Sequence, residues 1–415
     1  MAKLAIDDLK SAVAGSAAAI RLTVRLQPAG GPGSKVFPST HSGGVYAWER
    51  RHIRKDEVVP TVLLDSVQSQ ANRMEQALLE AYRAGKLKLP LLQVDFTSHF
   101  SDIGAITTLD APHRIADAIF RDSLFDGKEF QKSDIGQAFV SANIRNATAL
   151  LQYCPHALVF GIWNSTGPAG GLGNKFQRAV VSEIIGINAQ KGVRTSSRLD
   201  PVLKSNPNIY KARDGEWTAN PDHAVKDDGT PVKYEKKLAE LNLGNITPDF
   251  VRYNPKEKKP LQTMYEKIEV GDVLPGGVTI DHTIQTTVIS LPALRRLRFP
   301  VNGEETPESN NAARTVLAAL ALAAITHQRE QGYDLRSRCL LIPEDDTSFE
   351  LIANNGKVDT FELDGKEADE LFKVAVEEAR TQDLPWHEEI IPLTPKADLV
   401  ELVRKSREAK SAGEG

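Results

Sequence analysis

The chain has 415 residues, 41% apolar and 26% charged, with a formal net charge of −4, which is ordinary globular usage and excludes wholesale disorder. Its apolar runs fall short of the roughly 18 residues that a bilayer span needs, and the opening MAKLAIDDLK carries acids where an export signal needs an apolar stretch. A cytoplasmic protein without a membrane segment is therefore expected.

Residues 19–27 alternate cleanly, with Ile20, Leu22, Val24 and Leu26 on one face and Arg21, Thr23, Arg25 and Gln27 on the other, the period of a half-buried strand. The Gly- and Pro-rich stretch that follows, holding Ser34 and Lys35, is an exposed loop. Asp65 or Ser66 then caps a helix whose apolar stripe is Val67, Ala71, Met74, Leu78 and Tyr82. Ser69, Asn72, Arg73 and Gln76 face away from that stripe, and Gly85 supplies the stop. Leu89 to Phe96 reads as a strand. Asp110 and Pro112 open a helix through Arg121, another helix spans Asp134 to about Tyr153, and His156 to Trp163 reads as a buried strand. Phe176 to Ile187 reads as strand after a Gly-rich loop. From about 195 to 270 the periodicity fades into an inserted, partly irregular subdomain. A strand over Thr279 to Leu291, a helix capped by Asn311 and ended by Gly332, and a final core strand from Ser337 to Ile342 complete the body.

The charge is unevenly spread. Residues 341–390 hold 15 acids against four bases, which leaves the first 340 residues at about +6. That asymmetry suits an anionic partner for the main body, and residues 344–415 read as an acidic peripheral element that frays from about Lys405.

Catalytic and metal-binding patterns are sparse. Cys154 and Cys339 lie far apart in apolar segments, the mark of small buried side chains rather than a disulfide framework or zinc cluster. The nine histidines form no HxH, HxxxH or HD pairing. The expectation is a protein with no cofactor, no metal and no enzymatic activity of its own. Asp102, Asp110, Asp117, Asp122 and Asp126 lie close together and could bind magnesium in a nuclease, although capping and surface solvation explain them more simply. The stretch Ser165 to Lys175, with Thr166, Gly170 and Gly171, would expose backbone N–H groups of the kind that cradle phosphate, with Lys175 and Arg178 beside them. It is no P-loop, since Phe176 stands where Ser or Thr is needed; a nucleotide-binding enzyme is the third reading. Basic and hydroxyl groups recur where elements open: Ser34 and Lys35, Ser66 to Arg73, Arg114 and Arg121, Lys175 and Arg178, Arg194 and Arg198, then Arg295, Arg296 and Arg298. Such groups suit an RNA backbone rather than base readout, and aromatics at 6% argue against stacking as the main device.

Several stretches together, LQPAGGPGSKVFPST, LLDSVQSQANRMEQAL, DIGAITTLDAPHRIADAIFRDSL and ALVFGIWNSTGPAGGLGNKFQRAVVSEIIGINA, and more weakly ISLPALRRLRF and ALAAITHQREQGYDLRSRCLLIP, resemble one family. It is the backbone-forming subunit of the type I-G (formerly I-U) CRISPR Cascade effector, within the repeat-associated mysterious protein (RAMP) superfamily. The resemblance implies an α+β fold: an RRM-like, ferredoxin-like palm over residues 1–343, with a finger or loop insertion at about 36–60 and a thumb-like insertion at about 195–270. It implies copies of the chain stacking along a guide RNA (crRNA) that pairs with target DNA. The implied partners are a Cascade large subunit, a guide-processing subunit and a helicase-nuclease. It places Ser34, Lys35, Ser66, Gln68, Ser69, Gln70, Asn72 and Arg73 in the RNA groove, with either Ser66 or Ser69 as the direct contact. With the residue-level reading, the expected RNA-contacting set also takes in Arg25, His113, Arg114, Ser165, Thr166, Gly170, Gly171, Lys175, Phe176, Arg178, Arg194, Arg198, Arg295 and Arg296.

Overall fold

A computed structural model describes residues 2–42, 44–165, 175–251 and 275–411. The chain divides into two units, one made of Met1–Pro32, Leu63–Ile187 and Asp281–Gly415, the other of Gly33–Val62 and Asn188–Ile280.

In the first unit, helix α1 (Ile6–Ala14) leads into strand β1 (Ala19–Pro28). The alternation is realised there, with Ile20, Leu22, Val24 and Leu26 no more than 1% exposed. Helix α2 (Val67–Arg83) begins at Ser66, whose hydroxyl accepts from the Ser69 amide, and stops at Gly85 with φ +70°, a conformation that glycine adopts without strain. Strand β2 (Leu91–Asp95) follows, then helix α3 (Pro155–Phe160) and the paired strands β3 (Ile162–Trp163) and β4 (Lys175–Phe176). Next come β5 (Val180–Ile187), β6 (His282–Ser290), helix α4 (Pro307–Glu330), and strands β7 (Cys339–Pro343), β8 (Phe349–Ile352) and β9 (Val358–Glu362). Helix α5 (Gly365–Arg380), strand β10 (Ile390–Pro395) and helix α6 (Ala397–Ser411) finish the described chain.

The sheet order is β8–β1–β6–β5, antiparallel at every junction. Strand β7 pairs with the end of β1, and β9 extends the sheet beyond β8. With α2 following β1 and α4 following β6, the sequence is strand, helix, two strands, helix, strand, ordered last–first–third–second. Helix α4 is buried on nearly every side from Ala313 to Gln328, as an Ala- and Leu-rich helix packed between α2 and α5 must be.

The structure departs from the sequence expectations at several points. His156 to Phe160 is helical, with Pro155 in the first turn, and only Ile162–Trp163 is extended; a short continuous apolar run fits either state, and proline at the start favours the helix. The helix expected through Arg121 is broken into a 3₁₀ turn (Arg114–Ala116) and a short α turn (Ala118–Arg121), because the Asp117 carboxylate accepts from the Ile119 amide at 3.1 Å and restarts the chain. The helix expected from Asp134 stops at Ser141 and resumes at Thr148. Thr306, not Asn311, caps α4, with Pro307 in its first turn. Residues beyond 343, expected at the periphery, instead complete this unit: β8 borders β1, and β10 runs parallel to β2. Their acids find basic partners there, and the last helix continues to Ser411.

The second unit takes in both stretches expected as insertions. A hairpin pairs Trp48–Arg54 with Val58 to Val62, and a bridge between Val36 and Val278 ties its first segment to its second. The rest is short two-stranded pieces, Gln190–Val193 with Pro275–Thr279 and Thr195–Arg198 with Ile246–Phe250 among them. Val36, Tyr46, Ile209 and Val278 are buried in this unit, and the Tyr46 hydroxyl accepts from the Gly277 amide at 2.9 Å.

Candidate nucleic-acid interface

Within the first unit, a cleft of about 630 Å³ opens between the start of α2, the turn at His113 and Arg114, and the β3–β4 pair. Eight residues expected at an RNA site line it: Gln68, Asn72, His113, Arg114, Ser165, Lys175, Phe176 and Arg178. They come from segments far apart in sequence, and no carboxylate is among the described residues that line it.

The wall is fixed by a buried ion pair. Arg114 Nε and Nη2 donate to the two Glu75 oxygens at 2.6 and 2.7 Å, and Nη1 donates to the Gly161 carbonyl at 2.8 Å. Both residues are nearly inaccessible, at 6% and 2% exposure. Burial pushes the Glu75 carboxyl up, while Arg114 draws it back down. The Arg114 backbone has φ +52°, which aims the guanidinium inward from the turn. Arg114 is therefore a wall-forming residue, although its position at a helix start had suggested a phosphate contact. Gly161, at φ +82°, lies so close that an added Cβ would meet Arg178 Cγ at 2.8 Å.

The accessible groups are different ones. His113 and Lys175 are exposed, with the Lys175 ammonium 5.4 Å from the Trp163 ring centroid. Arg178 is half-buried and donates from Nε to the Phe160 carbonyl at 3.1 Å; burial, and then the nearby Arg114 charge, hold it below its ordinary value. Arg296 is exposed and donates to Gln177, a residue of the cleft lining, at 2.7 Å. Phe176 is buried beneath, at 4% exposure.

The motif at the start of α2 splits by direction. Asp65, fully buried, accepts from Ser69 Oγ at 2.8 Å, Gln70 Nε2 at 2.6 Å, Arg73 Nε at 2.9 Å and Arg336 Nη2 at 3.0 Å. Gln70 extends this network inward, its Oε1 accepting from Ser182 at 3.0 Å and from Gln285 at 2.8 Å. Ser66 spends its oxygen on the helix cap. Gln70 and Arg73, expected in the groove, thus serve as internal braces, and Gln68 and Asn72 are the exposed polar groups of this turn.

The remaining positions lie elsewhere. Arg25 is paired with Glu344 on the open face of the sheet, and Arg295 donates to the Ala17 carbonyl at 2.6 Å. Ser34, Lys35, Arg194 and Arg198 belong to the second unit, where Lys35 and Arg194 are exposed and Arg198 meets Asp200 at 3.3 Å. Thr166, Gly170 and Gly171 fall outside the described residues. The acids once weighed for magnesium are dispersed in use: Asp102 pairs with Arg407, Asp122 with Arg121, Asp110 accepts from Thr107, and Asp117 caps a turn. No cluster of three metal-ligating side chains occurs among the described residues. Both cysteines are buried. Sequence reasoning missed Trp163, an indole 52% exposed in the cleft lining; the expectation of a buried strand had hidden it.

The family described as CRISPR-associated protein GSU0053 (Cas_GSU0053) matches residues 20–191. That stretch contains the whole cleft, and the match indicates a CRISPR-associated protein. No curated protein matches the chain. No helix among the described residues is long and apolar enough to cross a membrane.

Proposed function

We propose that the chain is the non-catalytic backbone subunit of a type I-G CRISPR Cascade complex, gripping the sugar-phosphate backbone of a guide RNA and presenting it to target DNA. The observation that carries this reading is the convergence of Lys175, Arg178, His113, Gln68 and Asn72 on one cleft with no carboxylate among the described residues that line it. Cations and neutral amides on a rigid wall are what phosphate and 2′-hydroxyl oxygens accept. The last–first–third–second strand order supports an RRM-like, ferredoxin-like palm of the RAMP kind. Each copy offers few phosphate contacts, so stable coating depends on neighbouring copies holding the same strand, which raises the effective concentration. The large subunit, guide-processing subunit and helicase-nuclease are the partners of that assembly.

The test is co-expression with a guide, followed by purification and nuclease digestion. RNA protected in evenly spaced increments is expected. Protein that emerges without RNA, or that cleaves RNA in magnesium, would overturn the reading.

A further inference from the structure

We propose that the cleft holds an unpaired nucleobase against Trp163, which makes it a nucleotide site and not only a rail for phosphates. The inference rests on the RNA reading above and deepens it.

Phe160 and Phe176, the aromatic neighbours of Trp163, are buried at 1% and 4%, while the indole itself keeps 52% exposure. Pairing of Trp163 with Lys175 across β3 and β4 holds it at the mouth of the cleft. An indole left in water forgoes burial of a large apolar surface, and an exposed ring with a cation over one face is an arrangement on whose other face bases of single strands stack. The amides of Gln68 and Asn72 supply the second half. Four residues apart on one face of α2, they line the same cleft and have no hydrogen-bond partner among the described residues. A primary amide offers a donor and an acceptor side by side, the pattern that a base edge presents in return. The volume, about 630 Å³, lies within the roughly 300–1,000 Å³ of small-ligand sites. A base against the indole, its edge toward the amides, leaves its phosphate to Lys175, Arg178 or His113. Since both amides can rotate by half a turn, the site tolerates any base while rejecting a missing one.

The test uses the full chain, titrated with single-stranded RNA of ordinary sequence and with an abasic oligomer of equal length and charge. The wild type is expected to bind the base-bearing strand more tightly. Trp163→Ala should weaken that binding by roughly ten- to a hundredfold and bring it to the abasic level, with only a modest fall in melting temperature because about half of the indole is exposed, and with the chain still folded by circular dichroism. Trp163→Phe should retain most of the affinity yet lose the quenching of tryptophan fluorescence that RNA causes in the wild type. Equal binding of both oligomers by the wild type, or full affinity in Trp163→Ala, would overturn the nucleobase site while leaving the backbone grip standing. Binding of neither oligomer would overturn both.

Discussion

Strand β1 and the cleft carry arginine and lysine in equal readiness when seen as sequence, and the fold treats them in opposite ways. On the open face of the sheet, Arg21 meets Glu350 and Arg25 meets Glu344, both acids from the segment just past the main body. In the cleft, Lys175 has an aromatic ring for a neighbour and Arg178 a carbonyl. A basic residue is available to an anion according to what folds beside it. Here the acidic segment neutralises this sheet face and leaves the cleft alone.

The sharpest way to break this contrast is to remove the cleft's wall. Glu75→Ala strands the buried Arg114 charge and should lower unfolding free energy by about 3–5 kcal/mol, measured by urea denaturation, with loss of RNA binding; a drop below 1 kcal/mol would mean that the wall stands without the pair. Acid offers a second probe, at a buried histidine of the same unit. His156 is fully buried, and burial lowers its pKa from 6.5 to about 3, so the folded state keeps it neutral. Its contribution is complete above the unfolded value of 6.5 and is lost as pH falls toward 3, on the order of 2–4 kcal/mol. His156→Gln should flatten that acid limb in melts taken across this window. Next in size, Lys175→Ala with Arg178→Ala should weaken RNA binding about tenfold and make the salt dependence shallower by about 1.4 in log–log slope, at about 0.7 per lost contact. Arg21→Ala with Arg25→Ala should leave both readings where they were; equal losses from the two pairs would dissolve the comparison. The smallest effect on stability belongs to Glu344→Gln with Glu350→Gln. These pairs are partly exposed and worth about 0.2–1 kcal/mol each, so the melting temperature should barely move, while the freed arginines should steepen the salt dependence of RNA binding.

Much of the scaffold was legible beforehand for physical reasons. The strict alternation in β1 has a single structural solution, and Ser66 with Gly85 bounds α2 through hydrogen bonds local to the chain. What escaped was direction. Gln70 and Arg114 have the right chemistry for RNA, yet Asp65 and Glu75 turn them inward, and those partners are recognised only once the turns are folded. Trp163 escaped because a run of apolar residues from His156 onward does not reveal where it leaves the core. The acidic segment was visible as charge, but its pairing with β1 spans more than 300 residues, beyond any local pattern.

That last distance bears on how the protein comes into being. Strand β10 lies beside β2 at Ile390 and Leu91, and β8 closes against β1 at Leu351 and Ile20. Contacts so remote in sequence form late and slowly. A ribosome that has already delivered the cleft's residues, the last of them Arg178, must travel past residue 352 before β8 and its acids can close against β1. Until then β1 presents an unpaired edge and bare arginines to any nucleic acid nearby. The acidic segment therefore acts as a clasp fastened after the cleft's residues have been made, quieting the open face of the sheet.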